Sequence, residues 1–335
     1  MSNFVCIAGL PAITWNFYIF MQISGIYKQA SSSRQFLLLL LLLIVFLIFS
    51  TLIGLLILVP FYGVGVITDL SNLSDYSDPK VVAMLKFLQI VNQIGTLILP
   101  AIIFALLVDH SPFSYLHSEK TPKWKHVLIA TALIFIAMPF INWMVEWNQG
   151  MRFPSWLSGV EAWMKSSEAN AEKITEAFLI SSSATGLMIN MLMIAVLPAI
   201  GEEFMFRGIL TRLFGRWLNN SHAGVWLAAF LFSAIHLQFY GFVPRLFLGV
   251  AFGYLFVWTG NIWVPVTAHF INNASSVIVE YMANKGVISV NAETFGQTNN
   301  AAIIITSAVL CAALLAIVCI EGTKTPHYLE EKRDL

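Results

Sequence analysis

The stretch FLLLLLLLIVFLIFSTLIGLLIL, Phe36 to Leu58, contains no ionisable side chain. A helix needs about 20 apolar residues to cross the hydrocarbon core of a bilayer, and this run supplies them. Further windows of the same character follow at Phe87 to Val108, Val127 to Val145, Gly186 to Leu210, Val225 to Phe242, Leu246 to Thr259, Ile262 to Met282 and Ala301 to Ile320. Hydrophobic residues make up 58% of the chain and charged residues 11%, where a soluble domain carries roughly a quarter charged. Backbone polar groups in lipid must be satisfied within their own segment, which leaves helices as the simplest spanning element. The sequence therefore specifies an all-α polytopic membrane protein, a bundle of about eight transmembrane helices.

Residues 1–35 read as an N-terminal segment. Its apolar part, Phe4 to Ile23, is interrupted by Pro11, Asn16 and Gln22, so a re-entrant or interfacial piece and a ninth span both stay open. It lacks a basic start followed by a small-residue cleavage site, and no removed signal peptide is expected. Residues 36–320 form one transmembrane domain with no internal repeat. Within it, residues 147–183 read as an outer amphipathic insertion, because Trp156, Val160, Trp163 and Met164 recur at helical spacing. Residues 321–335 are a tail. Lys28 and Arg34, Lys120, Lys123 and Lys125, Arg207, Arg212 and Arg216, and the tail cations Lys324, Lys332 and Arg333 alternate with the acidic loops of Asp69, Asp75, Asp78, Glu161, Glu168, Glu172 and Glu176. Basic residues in short loops are retained in the cytoplasm, so the expected topology is multi-pass in the cell (inner) membrane with a cytoplasmic C-terminus. The net charge is zero, which gives no footing for nucleic acid. Cys6, Cys311 and Cys319 show no ligand spacing and read as packing residues.

Ionisable groups inside membrane helices are costly and mark functional sites by default. Three clusters stand out: Glu202, Glu203 and Arg207; Phe232 and His236; His269 and Asn273. Glu203 and Arg207 stand four apart on a helix and pair on one face, while Glu202 points about 100° away. That division leaves Glu202 free to act as a base in an apolar cavity. Two adjacent glutamates also suit a solvated helix end beside basic residues, and a lone histidine or asparagine also serves as interhelical glue. Taken together, the three clusters supply a base, a second base or ligand, and donors for an oxyanion. Asn92, Gln93, Asn142 and Asn190 read as packing or cavity-lining groups. The chain has no H-E-x-x-H, no Gly-x-Gly-Asp beside Asp109, no serine elbow at Ser158 and no phosphate-binding glycine loop.

EEFMFRG, FSAIH and HFINN match, in order, the E-E-x-x-x-R, F-x-x-x-H and H-x-x-x-N motifs of the CPBP family of intramembrane proteases. That family includes the Ras-converting CAAX prenyl endopeptidases and bacterial relatives described as abortive-infection (Abi) or bacteriocin-processing proteins, and the resemblance covers a motif core at residues 187–282. It implies an eight-helix bundle whose cavity opens towards the cytosol. It further implies that Glu202 polarises the attacking water, that His236 holds or deprotonates it, and that His269 and Asn273 stabilise the oxyanion. Glu203 and Arg207 would support the site, and Phe232 would pack within it. The implied activity is a glutamic or metallo endopeptidase acting on a membrane-associated peptide or protein, including a lipidated, CAAX-type one. No cofactor is expected; a zinc ion would require Glu202, His236 and His269 to converge with an open fourth position. The alternative is a non-catalytic membrane binding or bacteriocin-immunity protein on the same fold. A transporter would call for repeated halves with paired broken helices, and the sequence offers neither.

Overall fold

The computed structural model describes residues 23–68, 75–290 and 294–322. The readings of the N-terminal segment up to residue 22, Cys6, Asp69 and the tail cations lie outside the described residues. Among those described, the long elements are all helices: α1 (Ser32–Tyr62), α2 (Pro79–Val108), α3 (Trp124–Gln149), α4 (Ser158–Leu179), α5 (Ala184–Trp217), α6 (Ser221–Ala234), α7 (Phe242–Thr259), α8 (Trp263–Asn284) and α9 (Ala301–Glu321). No strand occurs among them. Each apolar window of the sequence overlaps one of these helices, and the window from Val225 to Phe242 runs past the end of α6.

Six of the helices are long and apolar enough to cross a membrane by length and composition: α1, α2, α3, α5, α7 with the turn before it, and α9. The two remaining windows differ for identifiable reasons. Helix α6 has only 14 residues and ends at Ala234, well short of Phe242. Helix α8 has 22 residues, but Thr267, His269, Asn272, Asn273, Ser275 and Ser276 dilute its apolar character. Helices α1 and α9 lie on the outside, with Leu37, Leu41, Ile44, Ile305 and Val309 exposed, as lipid-facing side chains should be.

Helices α2 and α5 share a local device. Each contains a π-helical stretch, Ile94–Ile98 in one and Met191–Val196 in the other, followed at once by Leu-Pro-Ala-Ile. Proline has no N–H to give the carbonyl four residues back and its ring clashes with that carbonyl, so the turn before it widens. Pro198 in this way frees the carbonyl of Ile194, which becomes available to a neighbouring helix.

Helix α5 is the axis of the core. Every residue from Phe204 to Thr211 is buried, packed against Phe104, Leu116, Phe232 and Phe256. Arg207 lies on α5 as its pairing with Glu203 requires; the expectation that Arg212 and Arg216 sit in the loop after this span is corrected, since both belong to α5, and Arg207 and Arg212 are each 1% exposed. Arg212 donates to the Tyr115 carbonyl and stacks over the Tyr115 ring, and Arg216 reaches Gln35 of α1 at 2.9 Å. Buried acceptors hold these cations inside the protein, which lets the helix run on to Trp217.

Helix α7 presents Gly249 and Gly253 to α6. A Cβ at Gly253 would stand 2.7 Å from Val225 Cγ1, and one at Gly249 would stand 3.1 Å from Ala229 Cβ. Small residues four apart let two membrane helices approach closely. That approach brings the end of α6, with its histidine, over α5 and α8.

Candidate active site in the membrane cavity

Glu203 and Arg207 form the expected i, i+4 pair, Arg207 Nη1 donating to Glu203 Oε1 at 2.7 Å with both side chains wholly buried. A second donor shares that oxygen: His269 Nδ1 lies 2.8 Å away. A carboxylate only accepts, so His269 carries its proton on Nδ1. Arg207 Nη2 donates to the Gly249 carbonyl at 3.1 Å, and its guanidinium stacks 4.7 Å from the Phe232 ring centre and 5.4 Å from that of Phe252. Three helices are thereby joined at one buried charge pair.

Glu202 faces the other way. Its Oε2 lies 3.7 Å from His269 Nε2, beyond a direct hydrogen bond but close enough for one water to touch both. A single imidazole thus spans the two glutamates, one on each nitrogen.

His236 stands just beyond the end of α6 and not within a continuous helix. Leu237 adopts a left-handed backbone (φ 53°) and its N–H closes on the Ala234 carbonyl at 3.1 Å. A branched side chain in that region costs roughly 1–2 kcal/mol, and the sequence S-A-I-H-L carries none of the Gly or Asn that would ease it. The strained turn holds His236 Nδ1 at 2.7 Å from the Phe232 carbonyl, so that Nδ1 donates and Nε2 keeps its lone pair. Phe232 is the hub of the packing, with its ring edge-on to His236 (5.1 Å), His269 (6.0 Å) and Phe206 (5.2 Å).

Asn273, one turn beyond His269, donates Nδ2 to the Ile194 carbonyl at 3.0 Å and accepts from Asn272 at 3.1 Å. The Ile194 carbonyl is the one Pro198 leaves free, so Asn273 satisfies it and retains one N–H for other use.

Glu202, Phe232, His236, His269 and Asn273 line one cavity of about 710 Å³. The structure also places there residues that the sequence reading passed over. Arg245 of α7 lines the same space, its Nη2 held by Gln238 Oε1 at 2.7 Å. An arginine in an apolar helix was the available signal, missed because the window was begun one residue later, at Leu246. Asn142 and Gln93 line the cavity, in keeping with the sequence reading, whereas Asn92 accepts from Ser50 and Thr51 of α1 and Asn190 accepts from Lys86.

Among the described residues, no three His, Cys, Asp or Glu side chains are grouped to hold a metal ion.

The amphipathic helix α4 borders the cavity through Ala171, Ile174, Thr175 and Phe178. It is tied down by the Tyr240 N–H to Glu168 Oε2 (3.2 Å), by Trp163 against Phe239 (5.1 Å between rings) and by Asn284 to the Leu179 carbonyl (3.1 Å). Burial pushes the Glu168 carboxyl above its ordinary value of 4.5, with Glu172 adding to the rise and the Tyr240 amide and Arg245 opposing it. A raised pKa in the docked state means that docking is most favoured below the ordinary carboxylate value and weakens as pH rises through the raised one. Hydrogen exchange of α4 amides, corrected for intrinsic rate, is expected to show more protection at pH 5 than at pH 8. Glu168→Gln keeps the acceptor and removes the charge, and should abolish that difference; a Gln variant with the same pH dependence would assign it to another group.

Fold and site define a polytopic all-α membrane protein in which one glutamate and two histidines line an internal cavity, with a second, buried glutamate behind them. Residues 184–275 match the family model described as type II CAAX prenyl endopeptidase Rce1-like. The resemblance carried by the three motifs thus holds for that segment, which contains all of them. A protein of Bacillus subtilis (strain 168), described as the uncharacterized protein YpbD, is 33% identical over 89 residues, covering 25% of this chain and 42% of that protein. The matched region is thus less than half the length of that relative. No solved structure matches the chain.

Proposed function

We propose that the chain is an intramembrane endopeptidase of glutamic type that hydrolyses a peptide bond in a membrane-associated peptide or protein. The observation that carries this reading is the meeting of Glu202, His236 and His269 on one cavity, with Glu203 and Arg207 fixed behind them. The Rce1-like match of the same segment supports it. Glu202 accepts a proton as water adds its oxygen to the peptide carbonyl, with the His236 Nε2 lone pair orienting that water. The free N–H of Asn273 is the donor to the oxyanion, aided by His269 when its Nε2 is protonated. The proton held by Glu202 then passes to the leaving nitrogen as the C–N bond breaks, giving a carboxylic acid and an amine. Lipidated CAAX-type tails are one substrate class to test, and an opening towards the cytosol with a cytoplasmic C-terminus is the orientation proposed.

The test is cleavage of a pool of single-span and lipidated peptides by the purified chain in detergent, with and without chelator. Glu202→Ala is expected to lower cleavage about 10²- to 10⁴-fold with an unchanged thermal midpoint. Equal cleavage by the variant would overturn the assignment of the base. Binding of the pool without cleavage by the unaltered chain would favour the non-catalytic alternative.

A further inference from the structure

The Rce1-like segment supplies the reactive groups, yet much of the cavity wall comes from residues before it. Gln89 and Gln93 of α2 line the cavity that His269 and Asn273 of α8 also line. A peptide bond must leave its helix before water can attack it, and at this depth its N–H and C=O then lose every partner. A site of this kind needs side chains that replace those lost hydrogen bonds. Most polar groups on the cavity are already engaged: Asn273 with Ile194, Asn272 with Asn273, Arg245 with Gln238 and Asn142 with the Phe295 carbonyl.

Gln89 and Gln93 differ. Neither side chain makes a hydrogen bond to another described residue: Gln89 is exposed, and Gln93 Oε1 is shut off from water with no partner among them. Asn92, next in the chain, is used in the ordinary way to bind α1, so α2 does not lack partners in general. Spacing supplies the second argument. Residues four apart on a helix are separated by about 6 Å along its axis. Alternate residues of an extended strand are separated by about 6.6 Å. Each glutamine amide offers both a donor and an acceptor, which matches the N–H and C=O that one residue of such a strand turns to the same side. The widened turn Ile94–Ile98 begins directly after Gln93, and such turns recur at functional sites.

We propose that Gln89 and Gln93 bind the backbone N–H and C=O of alternate residues of an extended substrate strand lying in the cavity between α2 and α8. This rests on the endopeptidase reading of the site and names the conformation of substrate it takes.

The probe is a pool of fluorescent single-span peptides, leucine-rich with a central glycine pair, bound to the full chain in detergent. A Glu202→Ala background prevents turnover. Gln89→Leu/Gln93→Leu is expected to weaken binding about tenfold, the loss of roughly one to two net hydrogen bonds. Peptides N-methylated at alternate central positions should lose affinity for the parent and bind the double variant as the unmethylated ones do. The thermal midpoint of Gln93→Leu should match or exceed that of the parent, because no internal hydrogen bond is removed. A lowered midpoint, unchanged binding by the double variant, or no binding of the pool by the parent would each overturn the proposal. If the pool binds, Gln substitution weakens it, and the unaltered chain never cleaves it, the glutamine proposal stands and the endopeptidase reading fails.

Discussion

Arg207→Met is expected to destabilise the protein by about 3–5 kcal/mol, the usual result of removing one partner from a fully buried ion pair. The size follows from what is left behind. Glu203 is 0% exposed, its Oε2 has no partner among the described residues, and without Arg207 its charge would rest on the single hydrogen bond from His269. Removing the guanidinium also leaves a gap between Phe232 and Phe252 and takes one hydrogen bond from the Gly249 carbonyl. Glu203→Gln/Arg207→Met removes both charges while keeping an acceptor for His269, and should be more stable than Arg207→Met alone. Midpoints of thermal unfolding in detergent and the monodisperse fraction on gel filtration read both effects. A double variant that loses the sum of the two single losses would mean that the pair is not coupled.

That pair was readable from spacing alone, because four residues on a helix define one face whether or not the turn is widened. The bundle was readable too, since hydropathy registers the cost of bringing polar backbone into lipid, and every apolar window but the one from Val225 to Phe242 lies almost wholly within one helix. Other features depend on partners that lie far away in sequence. Arg212 and Arg216 looked like a loop because a cation in a membrane segment is costly unless acceptors meet it, and those acceptors, Tyr115 and Gln35, come from two other parts of the chain. The end of α6 was misplaced because Leu237 closes it without the glycine or asparagine that usually marks such a stop. Asn273 was read as an oxyanion donor, and its first duty, satisfying the carbonyl that Pro198 releases, appears only when α5 and α8 are brought together.

His236 offers the separation of chemistry from architecture that Arg207 does not. Its Nδ1 is committed to the Phe232 carbonyl and its ring is half-buried, so the only group it presents to the cavity is the Nε2 lone pair. His236→Asn places an amide N–H near the position of Nδ1 and can keep the bond to Phe232 while deleting Nε2. The expected outcome is a fall in kcat of about 10²- to 10⁴-fold with KM within about threefold and an unchanged thermal midpoint, as befits a group that orients or deprotonates water. His236→Ala should lose the same activity and some stability besides, because the strained turn at Leu237 then lacks the tether that holds it. Two variants with equal activity losses and unequal stabilities would assign the loss to Nε2. A His236→Asn protein that cleaves at the parent rate would mean instead that the imidazole only anchors the end of α6, leaving Glu202 to activate the water unaided.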